Sequence, residues 1–470
     1  MLLTNNGVLP ISPEQSIGVV GAFAEQPRFQ GSGSSLVKPT RVDDLLSSLQ
    51  ARVGSGIGVQ YAPGYDPITG EATASQFAEA VHVAAGVDVV VVVVGLPAMM
   101  ESEGWDRRDL SLPDAHDQLV EALTAINERV VVVLQNGAPV DLPWANRPAA
   151  LLEAWLGGQA GGSALADVLM GLTEPGGRLP ESFPVAVADL PADSDFARRP
   201  TQVLHREGPY IGYRFHDTFD VAPRFAFGHG LGYTTWSYGQ IRLEGSGTDL
   251  TVIVPISNTG DRRGSAVVQV YVHDVASSLH RPDQELKGFA KVTLDPGESV
   301  EVSVVLDHRS FAMWDVASSS WLVEGGDFEI RIGASSRDIR AVVEVEIESS
   351  DRVRAVPGPA GPVATDEEMA VLLGGPVPNA RPLVPFHRDS TIEDLGETRL
   401  GGLVRGLLRY VLARRLATPD DQLRAMAESV AAQAPLRVVA MNAGGPRALR
   451  VLDRLIATLN AVRLRGGGTS

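Results

Sequence analysis

At 470 residues the chain is long enough for about three domains, each with a full hydrophobic core. Its apolar content of 44% and charged content of 21% are ordinary globular values, and a net charge of −17 argues against general affinity for a nucleic-acid backbone. The absence of cysteine excludes disulfides, thiol nucleophiles and thiolate metal sites. From the N-terminus, residues 1–185 alternate strand and helix patterns. Short apolar runs at Ile17–Gly21, Ile57–Tyr61, Val87–Gly95, Val130–Gln135 and Ala150–Trp155 are separated by helical stretches at Asp43–Val53, Ala74–Ala85, Pro113–Asn127 and Ser163–Leu172. Pro113 followed by acidic residues is a first-turn signature. The alternation predicts a mostly parallel sheet with helices on both faces.

Residues 186–245 read as a connecting segment rich in Pro, Asp and aromatic residues, with a turn at Gly228-His-Gly-Leu-Gly-Tyr233. Within it His229 reads as a structural hydrogen-bonding residue. Over 246–348 the pattern changes to period two, in runs beginning at Thr251, Ser265 and Val300 and separated by Asn-Thr-Gly and Pro-Gly-Glu turns. These runs predict an all-β sandwich. Residues 349–365 read as a Pro- and Gly-rich linker. A helical C-terminal extension follows over 366–470, with helices expected at Leu400–Leu416, Asp420–Gln433 and Ala448–Val462. The stripe Leu403, Leu407, Tyr410 and Val411, among Arg405, Arg409, Arg414 and Arg415, fits either a basic membrane-surface helix or a helix packing on the rest of the protein, and the second is expected. The fold class is therefore α/β: a mostly parallel α/β sandwich, then an all-β sandwich, then helices.

The chemistry points to the loop at 97–110, Pro-Ala-Met-Met-Glu-Ser-Glu-Gly-Trp-Asp-Arg-Arg-Asp-Leu, which leaves the apolar run ending at Gly95. A buried strand opening into a crowded acidic and basic loop is where an open α/β sheet places ligand chemistry. Glu103 sits in its middle beside Gly104. On local sequence alone it would be a solvated carboxylate. Near Glu101 and Asp106 it would be favoured in its protonated form, with Trp105 excluding water and Arg107 pairing with Asp106. No His/Asp/Glu spacing suggests a metal site, no Gly-Lys-Ser/Thr follows the glycine-rich stretch at 31–35, and no Gly-x-Ser-x-Gly elbow is present. No cofactor or metal is expected.

These phrases, taken in order, resemble the two C-terminal domains of glycoside hydrolase family 3. They are Asn5-Asn-Gly-Val-Leu-Pro-Ile, Pro27-Arg-Phe-Gln-Gly-Ser-Gly-Ser-Ser, Glu103-Gly-Trp-Asp-Arg, Gln135-Asn-Gly-Ala-Pro-Val and Ala154-Trp-Leu-Gly-Gly-Gln-Ala-Gly-Gly. Pro175-Gly-Gly-Arg-Leu-Pro-Glu-Ser-Phe-Pro, Phe227-Gly-His-Gly-Leu-Gly-Tyr and Leu286-Lys-Gly-Phe continue the series. The resemblance runs over residues 2–335, and the tail from Phe386 is similar to an extension found in part of the family. It implies an α/β sandwich followed by a fibronectin-III-like domain, and a retaining β-glucosidase activity in which Glu103 is the acid/base. Arg28, Gln30, Trp105 and Arg107 are the implied substrate-binding positions. The stretch around Arg28 also fits a glycine-rich turn without a ligand.

Retaining hydrolysis needs a second carboxylate as nucleophile, about 5–5.5 Å from the acid. In the family this aspartate comes from a (β/α)8 barrel that precedes the sandwich, and neither its Ser-Asp-Trp phrase nor its Lys-His phrase is found here. Trp314-Asp315 and Asp193-Ser-Asp-Phe are not substitutes. The expectation is thus the acid/base-bearing portion of a β-glucosidase, acting on a β-linked glucoside or oligosaccharide with a barrel-domain polypeptide. The alternative is a non-catalytic carbohydrate-binding or assembly module derived from it. The family's N-acetylglucosaminidase branch is disfavoured, because it would leave Glu103 unexplained. No basic or long apolar leader is visible, and the run Val87–Leu96 is about half the ~20 residues of a spanning helix. A cytoplasmic protein without nucleic-acid or membrane partners is the expectation.

Overall fold

The computed structural model describes all residues except 34–35, 54–57, 103–106, 108, 192–201, 316–317, 354–360, 381, 416–423, 425–427, 429 and 467–470, and the side chains of 415 and 462–466. The N-terminal region is built on a six-stranded sheet of order β1-β6-β5-β4-β2-β3. Its strands are β1 (Leu2–Asn5), β2 (Ile17–Val20), β3 (Val59–Ala62), β4 (Val89–Gly95), β5 (Val130–Gln135) and β6 (Ala150–Glu153). Strands β2 to β6 are parallel, and β1 alone is antiparallel, against β6. The six consecutive valines of β4 are wholly buried, as a central strand covered on both faces requires.

Helices α1 (Leu45–Gln50) and α4 (Gly161–Leu169) pack together on one face, and α2 (Ala74–Ala85) and α3 (Asp114–Ile126) on the other. The ends of α2 are set locally. Thr73 and Gln76 form a reciprocal capping box at its start. Beyond its end, the Asn127 amide donates to the carbonyls of Ala84 and Val87. The chain leaves β2 toward β3 on one side and returns to β4 on the other. The carboxyl ends of β2 and β4 are therefore the switch point of the topology, where folds of this kind bind ligands.

The second region is a sandwich. One sheet has β11 (Glu285–Leu294), β10 (Gly264–Asp274), β15 (Gly326–Ser335) and β16 (Asp338–Ile347). The other has β12 (Ser299–Leu306), β9 (Asp249–Asn258) and β7 (Trp236–Tyr238), with β8 (Arg242–Ser246) also on β9. Val252, Val254, Ile256, Val268, Val270, Ile330 and Ile332 alternate inward to fill it. Strands β7 and β8 lie within the segment read as a connection, so the hydrogen-bonded sheet begins before residue 246. Trp314 and Asp315 belong to a hairpin, β13 (Met313–Asp315) with β14 (Ser320–Leu322). The connecting segment carries α5 (Tyr213–Thr218) and ties the two regions. His229 Nε2 hydrogen-bonds the Leu3 carbonyl at 2.8 Å, and the buried Gln269 amide donates to the carbonyls of Gly228 and Ala334.

After a short helix α6 (His308–Phe311) in the sandwich, the C-terminal part carries α7 (Asp366–Leu373), α8 (Arg399–Arg415) and α9 (Leu436–Gly466). Helix α9 is broken at Gly444 and Gly445, just before Pro446. The expected helix at Asp420–Gln433 falls largely outside the described residues. Arg206 joins this part to the connecting segment, donating to the Ala364 carbonyl and pairing with Asp366. Phe386, Ile392, Leu395, Leu436, Leu452 and Leu459 form a third core, against which α8 packs Val404, Leu408 and Leu412. The expected packing stripe is instead exposed: Leu403 by 73%, Leu407 by 62%, Tyr410 by 56% and Val411 by 41%. Helix α8 has one broad apolar arc, and periodicity does not say which part of it is covered. Among the described residues no helix is long and apolar enough to cross a membrane.

Backbone crowding at the mouth of the sheet makes one glycine irreplaceable. Gly21 ends β2 with φ +115°, and a Cβ there would stand 2.1 Å from the Val93 carbonyl oxygen of β4. Gly21→Ala is expected to lower the unfolding free energy by about 1–3 kcal/mol in denaturant titrations. An unchanged midpoint would show that the β2–β4 crossing is looser than described.

Candidate active site

Strands β4, β5 and β6 end in Gly95, Gln135 and Glu153 at one edge of the sheet, and the loops beyond them and beyond β2 converge. Arg28 follows β2, Glu101 follows β4, Asn136 and Gly137 follow β5, and Trp155 follows β6. Ser32 and Ser102 bridge the first two loops in parallel. Arg28 is the fastener. Its backbone N–H donates to Gln135 Oε1 at 2.9 Å, its Nε to the Leu96 carbonyl at 2.7 Å and its Nη1 to the Gln30 carbonyl at 3.3 Å. Nη2 lies 3.5 Å from Glu101, and the side chain is only 10% exposed. Burial lowers the guanidinium pKa, while the Glu101 charge opposes that shift.

Glu101 joins the third loop as well. Both of its carboxylate oxygens stand 2.8 Å from the Gly137 nitrogen, and a Cβ at Gly137 would lie 3.0 Å from that carboxylate and 3.1 Å from Leu156, a close fit. One acidic side chain thus holds the β4 loop onto the loops after β2 and β5. Gln30 is engaged within its own loop. Its amide donates to the Val37 carbonyl and accepts the Val37 N–H, both at 2.9 Å, so the side chain closes the glycine-rich loop. Arg107 donates from Nη1 to the Pro139 carbonyl at 3.3 Å, and its buried Nη2 has no partner among the described residues. Burial lowers its pKa too, against the pull of Glu101 and Asp109. Glu103 and Trp105 lie outside the described residues, as does Asp106, the partner expected for Arg107.

A second polar layer behind this edge was not foreseen. Glu153, at the end of β6, is fully buried. It accepts the Trp155 N–H at 2.7 Å and the Asn136 amide at 3.2 Å. Burial pushes its carboxyl pKa up to about 8, although those two donors act the other way. Trp155 holds the left-handed backbone conformation, φ 50°, which its hydrogen bond to Glu153 fixes. A cavity of about 30 Å³ lies between Arg28, Phe29, Gln135, Trp155 and Gly158. Beneath β4, His116 is buried in contact with Tyr65 and Phe23 and accepts the Gly95 N–H at 3.3 Å. Burial depresses its pKa to about 3, which keeps it neutral. A polar residue ending an otherwise apolar run, as in Val-Leu-Gln135-Asn136 and Leu-Leu-Glu153, was the available signal for the second layer. Among the described residues no group of three or more His, Asp or Glu could hold a metal ion.

Comparison with known proteins agrees with this architecture. Residues 1–233 match the glycosyl hydrolase family 3 C-terminal domain, and residues 266–336 match the fibronectin type III-like domain. The chain belongs to glycoside hydrolase family 3. It is 40% identical over 381 residues to the thermostable β-glucosidase B of Acetivibrio thermocellus, covering 80% of this chain and 50% of that one. It is 39% identical over 365 residues to an exo-α-(1→6)-L-arabinopyranosidase of Bifidobacterium breve, covering 75% and 48%. Among solved structures, the family 3 β-glucosidase of Bifidobacterium adolescentis superposes with a TM-score of 0.72 at 35% identity, over 86% of this chain and 55% of that one. The chain spans about half the length of the curated relatives it matches.

The buried Glu153 has a measurable consequence. Its folded pKa of about 8 lies above the ordinary 4.5, so its contribution to stability is fully present below the ordinary value and is lost as pH rises through the folded one. Glu153→Gln, neutral at every pH, is therefore expected to melt above the wild type at about pH 9 and to converge with it near pH 4. A constant offset across that range in thermal melts would contradict a protonated Glu153.

Proposed function

We propose that this chain supplies the acid/base half of a family 3 β-glucosidase working by a retaining mechanism, with the nucleophile provided by a barrel domain that is not among these residues. The observation that carries the reading is the anchoring of the β4 loop at the switch point of the sheet, where Glu101 binds both Arg28 and the Gly137 N–H. That loop carries the Glu-Gly-Trp-Asp-Arg phrase two residues further on. These contacts fix the start of that loop, up to Glu101 and Ser102, and they support the reading that the acid carried beyond it acts with little entropy to lose.

In the first step a barrel carboxylate attacks the anomeric carbon while Glu103 gives its proton to the departing glycosidic oxygen. In the second, Glu103 as carboxylate takes a proton from water, which attacks the anomeric carbon and releases the barrel carboxylate. Trp105 supplies an apolar wall, and Arg107 contributes donors to sugar hydroxyls. The glycone is a β-linked glucosyl residue. The arabinopyranosidase relatives make an α-L-arabinopyranoside the comparison substrate.

The test is reconstitution. The purified chain alone is expected not to turn over an aryl β-glucoside. Addition of the separately produced barrel domain of a family 3 β-glucosidase should restore turnover, and Glu103→Gln should lower the restored kcat by at least about 100-fold. Full activity from the chain alone, lost in Glu103→Gln, would overturn the shared-site reading. Sugar binding in calorimetry without turnover, even with the barrel present, would favour a carbohydrate-binding module instead.

A further inference from the structure

Residues 399–470 contain twelve arginines against four acidic residues, a net charge of +8, whereas residues 1–398 carry 28 basic and 53 acidic residues, a net charge of −25. This reversal coincides with the exposed face of α8. Leu400, Leu403, Leu407, Tyr410 and Val411 are all exposed by more than a third, although the adjoining arc of the same helix, Val404, Leu408 and Leu412, is packed on the third core. At about 100° per residue the exposed five fall on one arc, with Arg399 at its edge before the first of them in the chain and Arg414 on the same arc after the last. Both arginines are exposed, and the Arg414 guanidinium lies over the Tyr410 ring, 5.2 Å from its centre. Arg405 and Arg409 lie elsewhere on the helix and are matched by Glu393, each at 3.4 Å.

We propose that this face of α8 lies in the plane of an anionic membrane surface. The charge of the segment and the form of the helix select that occupant. An amphipathic helix with an exposed leucine face, an interfacial tyrosine and flanking arginines combines apolar burial with attraction to acidic headgroups. A second copy meeting the stripe face to face would bring Arg399 and Arg414 near their own counterparts. An acidic globular partner would satisfy the arginines but leave five apolar side chains in need of a matching apolar surface. The helix is 17 residues long, too short and too mixed to span a bilayer, and Val404, Leu408 and Leu412 pack it on the third core. The acidic remainder of the chain is repelled by the same surface, which orients the molecule with α8 downward.

Vesicle sedimentation with the full chain tests the proposal. Phosphatidylcholine vesicles containing about one third phosphatidylserine are expected to carry the protein down, and pure phosphatidylcholine vesicles to leave it in the supernatant. The double variant Leu403→Glu/Leu407→Glu should weaken partitioning by at least about tenfold, and Arg399→Gln/Arg414→Gln should weaken it and reduce its salt dependence. All four positions are solvent-facing, and far-UV circular dichroism verifies that the variants keep their helices. No sedimentation with anionic vesicles, or sedimentation unchanged in both variants, would overturn the proposal. So would a concentration-dependent dimer in sedimentation velocity that the leucine variants disperse, because the stripe would then be covered by a second copy.

Discussion

The Glu101 carboxylate is the interaction on which the proposed site depends. It accepts the Gly137 N–H and faces Arg28, whose remaining donors reach Leu96 and Gln30 and whose own backbone N–H ends on Gln135. Three loops from three adjacent strands are joined through two side chains of opposite charge. With both side chains largely out of water, such a pair is costly unless its hydrogen bonds are satisfied, and here most are. The benefit lies in geometry, because a loop that departs from β4 has no neighbour in sequence to hold it.

The constraint extends inward. The valine run of β4 packs tightly enough that Gly21 and Gly95 approach neighbouring carbonyls with no space for a methyl group. Gly95 then places its N–H on His116, kept neutral by burial, and Glu153 fixes the left-handed Trp155 beside the cavity near Arg28. The edge of the sheet is thus backed by uncharged polar groups, with the charged pair in front of them. A layered arrangement of this kind keeps the loops in place without burying a second net charge.

Much of the fold was legible because local signals agreed with the tertiary outcome. The all-valine run could be only a buried strand, β5 was bounded by its own turn residues, and α2 begins at a Thr73/Gln76 box. Where the reading stopped short, the missing information was non-local. Leu2 to Asn5 forms a strand only because β6, some 150 residues away, offers an edge. Strands β7 and β8 depend on β9 in the same way. For α8 the sequence displays one broad apolar arc and nothing to say which part of it is covered; the helix packs on the third core through Val404, Leu408 and Leu412 and leaves the Leu403 stripe exposed. In the candidate site, Arg28 and the β4 loop stood out as charges beside glycines. Glu153 and His116 did not, because their shifted protonation comes from burial among residues distant in sequence.

Hydrogen exchange read amide by amide tests the anchoring claim most directly. In the intact chain the Gly137 amide should exchange slowly, together with the amides of β4. In Glu101→Ala the account predicts fast exchange at Gly137 and along the loop from Leu96 to Ser102, with Val89 to Val94 still protected. Unchanged protection at Gly137 in that variant would contradict it, since the loop would then be held by something other than the Glu101 carboxylate.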